Sequence, residues 1–161
     1  MVGGYTQVFC GGGDGKSSAA IGKGLVGACL GKKVIIVQFL KGRIGNETQL
    51  FAKLEPEVKL FRFEKSDVMF DSLSEEQQAE EIKNIKNGIN FAKKVLATKE
   101  CDILILDEVV GLADEGILSI EEITSVIDSK APEAILIMSG KNMPKELEAY
   151  VDRISTIEAK K

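Results

Sequence analysis

The sequence predicts an α/β fold of three layers, with a mostly parallel sheet held between two layers of helices. Short apolar, β-branched runs alternate with helical patterns along the chain, the order produced by strand–helix–strand units with right-handed crossovers. Two of the runs, Ile103-Leu104-Ile105-Leu106 and Ile135-Leu136-Ile137-Met138, are continuously apolar. Strands buried on both faces have that composition, whereas a strand with one wet face alternates.

Taken in order, Thr6 to Cys10 is the first expected strand. A helix over Ser17 to Leu30 follows, with small residues (Ala19, Ala20, Gly22, Gly24, Gly27, Ala28) that let it approach a sheet closely. Lys33 to Gln38 and Val58 to Phe63 are the next two strands, and Gly42 to Thr48 and Glu64 to Leu73 read as surface loops. Ser74 with Gln77 makes a capping box, and Ile82, Ile85, Ile89, Ala92 and Leu96 recur at helical spacing, so a helix covers Ser74 to Thr98. Asp102 to Leu106 is the fourth strand. A second capping box, Ser119 with Glu122, opens a helix carrying Ile123, Val126 and Ile127. Ala134 to Met138 is the fifth strand, Pro144 opens a short helix to Tyr150, and Arg153 to Ile157 is the sixth strand.

The 161 residues suit one domain, residues 1–161, long enough to bury a real core. The balance of 44% apolar and 29% charged residues argues against disorder. A net charge of -4 gives no global attraction to nucleic acid or anionic lipid. No apolar run approaches the roughly 20 residues that cross a bilayer, and the N-terminus lacks the regions of a signal peptide. A cytoplasmic protein without nucleic-acid or membrane partners is expected. Cys10, Cys29 and Cys101 are too scattered for a zinc site and odd in number for a disulfide set, so they are expected to be small buried apolar residues. Histidine is absent, which removes histidine bases, Ser-His-Asp triads and imidazole metal sites together.

The most informative stretch is Gly11-Gly12-Gly13-Asp14-Gly15-Lys16-Ser17-Ser18, which follows a strand and opens a helix. Glycines allow a tight turn that aims backbone N–H groups at an anion, and the helix N-terminus adds partial positive charge. Lys16 supplies a full charge for phosphate oxygens, and the Ser17 hydroxyl can ligate magnesium. The match to G-x-x-x-x-G-K-[ST] is incomplete, because its first glycine falls on Cys10. A dinucleotide reading fails, since Lys16 sits where the last glycine of G-x-G-x-x-G is needed. Asp107 and Glu108 end the fourth strand. Beside such a loop they are expected to meet the cation, directly or through water. Lys41 and Lys141 leave the second and fifth strands at the edge where open α/β sheets bind ligands, and each is a candidate for reaching phosphate or substrate. Met69 and Phe70, apolar residues between acids, are either a satellite core or a lid over an apolar ligand.

The loop Gly11 to Ala20 resembles that of the ATP:corrinoid adenosyltransferases of the cobinamide/cobyrinate type. So do Gly31-Lys32-Lys33-Val34 leading into Gln38-Phe39-Leu40-Lys41-Gly42, Leu106-Asp107-Glu108 with Gly116-Ile117-Leu118, and Ser139-Gly140-Lys141 with Pro144-Lys145-Glu146-Leu147. The resemblance implies a phosphate-loop fold related to RecA, a homodimer, and a flavodoxin-like or other reductant protein as partner. Its reaction is attack of a cob(I)alamin or cob(I)inamide cobalt on the 5′ carbon of ATP, with release of triphosphate. It implies that Gly11 to Ser18, Lys41 and Lys141 bind ATP. Ser17, Asp107 and Glu108 would hold Mg2+ or Mn2+. Lys16 and Glu108 would be catalytic, and Met69 and Phe70 would belong to a corrinoid lid. The chain departs from the family's pattern at Asp14, where a lysine is usual, at Lys141, where an arginine is usual, and in the lid, whose aromatics are reduced to Phe70. The residues leave two alternatives: a phosphoryl-transfer enzyme using the loop conventionally, or a non-catalytic nucleotide or corrinoid carrier.

Overall fold

A computed structural model describes residues 3–39, 47–63 and 68–161. The expected strands all form, each within a residue or so of its expected bounds: β1 Thr6–Cys10, β2 Val34–Gln38, β3 Val58–Arg62, β4 Ile103–Asp107, β5 Ile135–Ser139 and β6 Arg153–Thr156. They make one six-stranded sheet in the order β3-β2-β4-β5-β1-β6, with every pairing parallel. Helices α1 Lys16–Cys29, α3 Glu75–Ala97 and α5 Ile120–Asp128 match expectation, and both capping boxes are present, at Ser74 with Gln77 and Ser119 with Glu122. The segment opened by Pro144 is a 3-10 helix, Lys145–Tyr150.

Successive side chains of a strand point to opposite faces, and the continuous apolar runs feed two cores accordingly. Leu104, Leu106, Leu136 and Met138 pack with Ile85, Ile89 and Leu96 of α3 and Ile123 and Val126 of α5. Ile103, Ile105 and Ile137 pack on the other side with Ala20 of α1 and Phe51. The glycines of α1 set its distance from the sheet. A Cβ on Gly24 would lie 2.6 Å from Ile105 Cδ1, and one on Gly27 would collide with Ile103 Cδ1.

Two helices were not anticipated. α2, Glu47–Ala52, begins at the end of the expected Gly42 to Thr48 loop and is anchored by buried Phe51. α4, Val109–Asp114, follows β4 directly and buries Val109, Val110 and Leu112. Within the expected Glu64 to Leu73 loop, Phe70–Ser72 forms a 3-10 turn. No helix of the described residues is long and apolar enough to cross a membrane.

One cysteine corrects the sequence expectation. Cys10 and Cys101 are buried, but Cys29 ends α1 and is exposed. Burial, then the negative charges of Asp102 and Glu100, push the Cys101 thiol up from an ordinary 9.0 to about 12. A raised value favours the protonated thiol in the folded chain, so its contribution to stability is complete below pH 9 and lost towards pH 12. Iodoacetamide at pH 8 is therefore expected to modify Cys29 in the native chain and to spare Cys10 and Cys101 until denaturant is added, as read by peptide mass mapping.

Candidate functional site

Parallel strands put all their C-terminal ends on one edge, and the site is built there. β1 ends at Cys10, and the phosphate loop turns through Gly11 (φ +112°) and Gly15 (φ +103°), conformations that suit glycine. Two of the loop glycines serve its seating. A Cβ on Gly11 would collide with Ile157 O, and one on Gly13 would lie 2.9 Å from that oxygen. The Gly11 N–H donates to Lys141 O at 2.8 Å and the Gly13 N–H to Ile157 O at 2.9 Å. The loop is thus clamped between the segments leaving β5 and β6. Gly15 is different: it has open space around it and caps α1. The first turn of α1, beginning Lys16-Ser17-Ser18, then presents N–H groups that helix geometry leaves without intrahelical acceptors, together with the positive end of the helix dipole. This is the anion-binding part of the loop.

Lys16 Nζ donates to Gly13 O at 3.0 Å, so its ammonium is folded over the loop. Asp14 is exposed, turned to solvent at the loop's rim. Ser17 Oγ donates to Asp107 Oδ1 at 2.6 Å, which joins the loop to the end of β4. The β2–β4 register sets Gln38 opposite Asp107, and Gln38 Nε2 reaches Asp107 Oδ2 at 3.4 Å. Asp107 is wholly buried, and Ser139 Oγ also donates to its Oδ1, at 2.8 Å. A carboxylate kept from water needs such donors.

Glu108 occupies the corner between β4 and α4 at φ +69°, and its N–H donates to Ser139 Oγ at 2.9 Å. Its carboxylate lies beside the α4 backbone: a Cβ on Gly111 would be 3.2 Å from Oε2. Burial first, then the charges of Asp71, Asp114 and Glu108, raise the Glu115 carboxyl above its usual range. Asp71 belongs to the Phe70–Ser72 turn, so that segment lies within electrostatic reach of α4 at this edge. There Met69 is 68% exposed and Phe70 is half-buried, its carbonyl taking Gln78 Nε2 at 3.1 Å.

Among the described residues no three His, Cys, Asp or Glu side chains gather to cage a metal. The Ser17 hydroxyl and Asp107 carboxylate are hard oxygen donors 2.6 Å apart. Such a sparse set fits magnesium, which keeps much of its shell as water and phosphate, and does not fit a metal that needs a full protein cage.

The structure therefore brings together Gly11 to Ser18 and Asp107, with Glu108 next in the chain. Lys141 meets the loop through its carbonyl, while its side chain is exposed. Lys41 lies outside the described residues. Sequence reasoning missed Ser139 and Gln38 as partners of Asp107; the available signal was a polar residue ending each strand that flanks β4.

A family model described as "ATP:corrinoid adenosyltransferase BtuR/CobO/CobP" matches residues 3–161. The chain belongs to this family. It is 27% identical over 154 residues to a corrinoid adenosyltransferase of Escherichia coli (strain K12), covering 96% of this chain and 76% of that one. It is 26% identical over 149 residues to a corrinoid adenosyltransferase of Pseudomonas aeruginosa, covering 91% and 71%. A crystal structure of a KaiC-like protein from Pyrococcus horikoshii OT3 superposes with a TM-score of 0.66 at 14% identity, covering all of this chain and 75% of that one. This likeness shows the RecA-like phosphate-loop fold.

In this member of the family, α4 is seated closely on the end of β5. A Cβ on Gly140 would lie 2.5 Å from Gly111 N and 2.8 Å from Val110 Cβ. Gly140→Ala is expected to push α4 off the end of β5 and to destabilise the fold by about 1–3 kcal/mol, measured as a lowered midpoint in urea.

Proposed function

We propose that this chain transfers the 5′-deoxyadenosyl group of ATP to the cobalt of a reduced corrinoid, a cobalamin, cobinamide or cobyrinate, and releases inorganic triphosphate. The observation that carries the reading is the 2.6 Å contact of Ser17 with buried Asp107 at the mouth of the phosphate loop, in a chain that belongs to the adenosyltransferase family. The cobalt electron pair forms the bond to C5′, the C5′–O bond breaks, and its electrons leave on the triphosphate. The loop's work is to stabilise that leaving charge. The α1 N-terminus and Lys16, released from Gly13 O, face the developing oxyanion. The corrinoid brings its own nucleophile, so a chain without histidine lacks nothing that the step requires.

Mg2+ or Mn2+ would be held by Ser17, with Asp107 and Glu108 behind it, and would supply charge neutralisation on the triphosphate. Ser17 Oγ gives its proton to Asp107, which holds the hydroxyl against the acid at the mouth of the loop. Asp14, exposed, stays clear of the phosphates by facing water. Lys41 and Lys141 would contact ATP, and Met69 and Phe70 would cover the corrinoid. Residues 1–161 act as one nucleotide-binding domain, in a cytoplasmic homodimer served by a reductant protein that keeps cobalt in its lowest state.

Anaerobic incubation with ATP, magnesium and chemically reduced corrinoid tests the reading. A new absorption spectrum, of a light-sensitive cobalt–carbon bond that reverts on illumination, is the expected result. An unchanged corrinoid spectrum alongside steady formation of ADP would replace it with conventional phosphoryl transfer.

A further inference from the structure

We propose that Ser139 is a positioning residue of this site: a single buried hydroxyl that holds the Asp107 carboxylate and the Glu108 backbone where a cation beside Ser17 needs them. The inference rests on the metal–ATP reading above and adds a residue to it.

Ser139 is the last residue of β5 and is wholly shielded from solvent. Its Oγ donates to Asp107 Oδ1 and accepts the Glu108 N–H, at 2.8 and 2.9 Å. A hydroxyl has one proton, so the proton is committed to the carboxylate and a lone pair to the amide. Asp107 Oδ1 thus receives two hydroxyls, from Ser17 on the loop and from Ser139 on the sheet. Only the second is anchored in a strand. Ser139 on Oδ1, with Gln38 Nε2 from β2 on Oδ2, therefore sets where the carboxylate sits, and Ser17 aligns to it.

Glu108 is a non-glycine residue at φ +69°. Such a conformation is strained and persists only where the surroundings hold it, and Ser139 Oγ is the acceptor for its N–H. Loss of the hydroxyl displaces both acids together. The backbone of the phosphate loop keeps its own supports, because Gly11 and Gly13 hang on Lys141 O and Ile157 O. Ser139 should consequently govern the metal-dependent part of ATP binding and leave the metal-independent part alone.

The test is binding of a fluorescent ATP analogue to the full chain, in EDTA and across a titration with Mn2+. Ser139→Ala is expected to raise the Mn2+ concentration for half-maximal enhancement about 10- to 100-fold, the usual effect of losing a group behind a metal ligand. Affinity in EDTA is expected to stay within about twofold of the parent, as for a change that spares the loop. Ser139→Thr, which keeps Oγ, should restore the parental metal response. Equal metal responses in Ser139→Ala and the parent overturn the proposal. So does a loss in EDTA as large as the loss with metal, which marks a merely structural role. Should Ser139→Ala fail to show a cooperative thermal transition, Ser139→Cys, a poor donor of similar volume, is judged by the same two criteria. A parent chain that binds ATP in a metal-dependent way yet makes no adenosylcorrinoid defeats the proposed function and leaves this inference standing.

Discussion

Lys16→Ala is expected to lower adenosyl transfer by about two to three orders of magnitude, the scale of losing one group that stabilises developing negative charge. The leaving triphosphate carries the electrons of the broken C5′–O bond, and Lys16 is the only side-chain cation of the loop. The loss should fall on kcat as well as on ATP affinity, because the charge to be stabilised grows along the reaction. Folding should hardly change. Lys16 is half-buried and donates a hydrogen bond to Gly13 O, on the loop's own backbone, so a shift of about 0.5 kcal/mol or less is expected. Steady-state assays on Lys16→Ala, beside a urea melt of the same sample, separate the two effects. A variant that melts with the parent and turns over with it would remove Lys16 from the mechanism.

Asp107→Asn is expected to have the next largest effect, with a different signature. The amide keeps the shape and one oxygen for the two hydroxyls, but loses the charge and turns the second acceptor into a donor facing Gln38 Nε2. Gln38 can answer by presenting its own oxygen, so stability should fall by only about 1–3 kcal/mol. The metal requirement should change far more. The Ser17 hydroxyl would lie against a neutral group, and the magnesium concentration supporting half-maximal turnover should rise by about 10- to 100-fold. Magnesium titration of turnover in Asp107→Asn checks this, and a parental magnesium profile would place the cation elsewhere.

What the sequence made legible was whatever it encodes locally. The continuous runs at Ile103 to Leu106 and Ile135 to Met138 declare strands buried on both faces, and all six strands formed in parallel. The capping boxes at Ser74 and Ser119 fixed two helix starts, since the cap and its N3 partner are three residues apart. α4 escaped notice for a physical reason. Val109-Val110-Gly111 has weak helix propensity, the helix opens from a left-handed glutamate without a side-chain cap, and contact with Gly140 rather than local preference holds it in place. Short α2 likewise depends on burying Phe51.

The site divides in the same way. Lys16, Ser17, Asp107 and Glu108 could be named from spacing. Ser139 as partner of Asp107 is 32 residues away, and only the β4–β5 pairing brings the two together. The reason for two of the loop glycines was also non-local. Beside the phosphate cradle expected of them, Gly11 and Gly13 are where the loop backbone passes against Ile157. Cys29, expected to be buried, is exposed because it falls where α1 ends rather than on its packed face.

Phosphorus analysis of the spent nucleotide tests the central claim most directly. With reduced corrinoid present, inorganic triphosphate is expected in equal amount to the adenosylated corrinoid, with no ADP and no free phosphate. ADP, or phosphate split from ATP at the γ position, would mean that the loop activates the outer phosphate and that the cobalt chemistry assigned to this site is wrong.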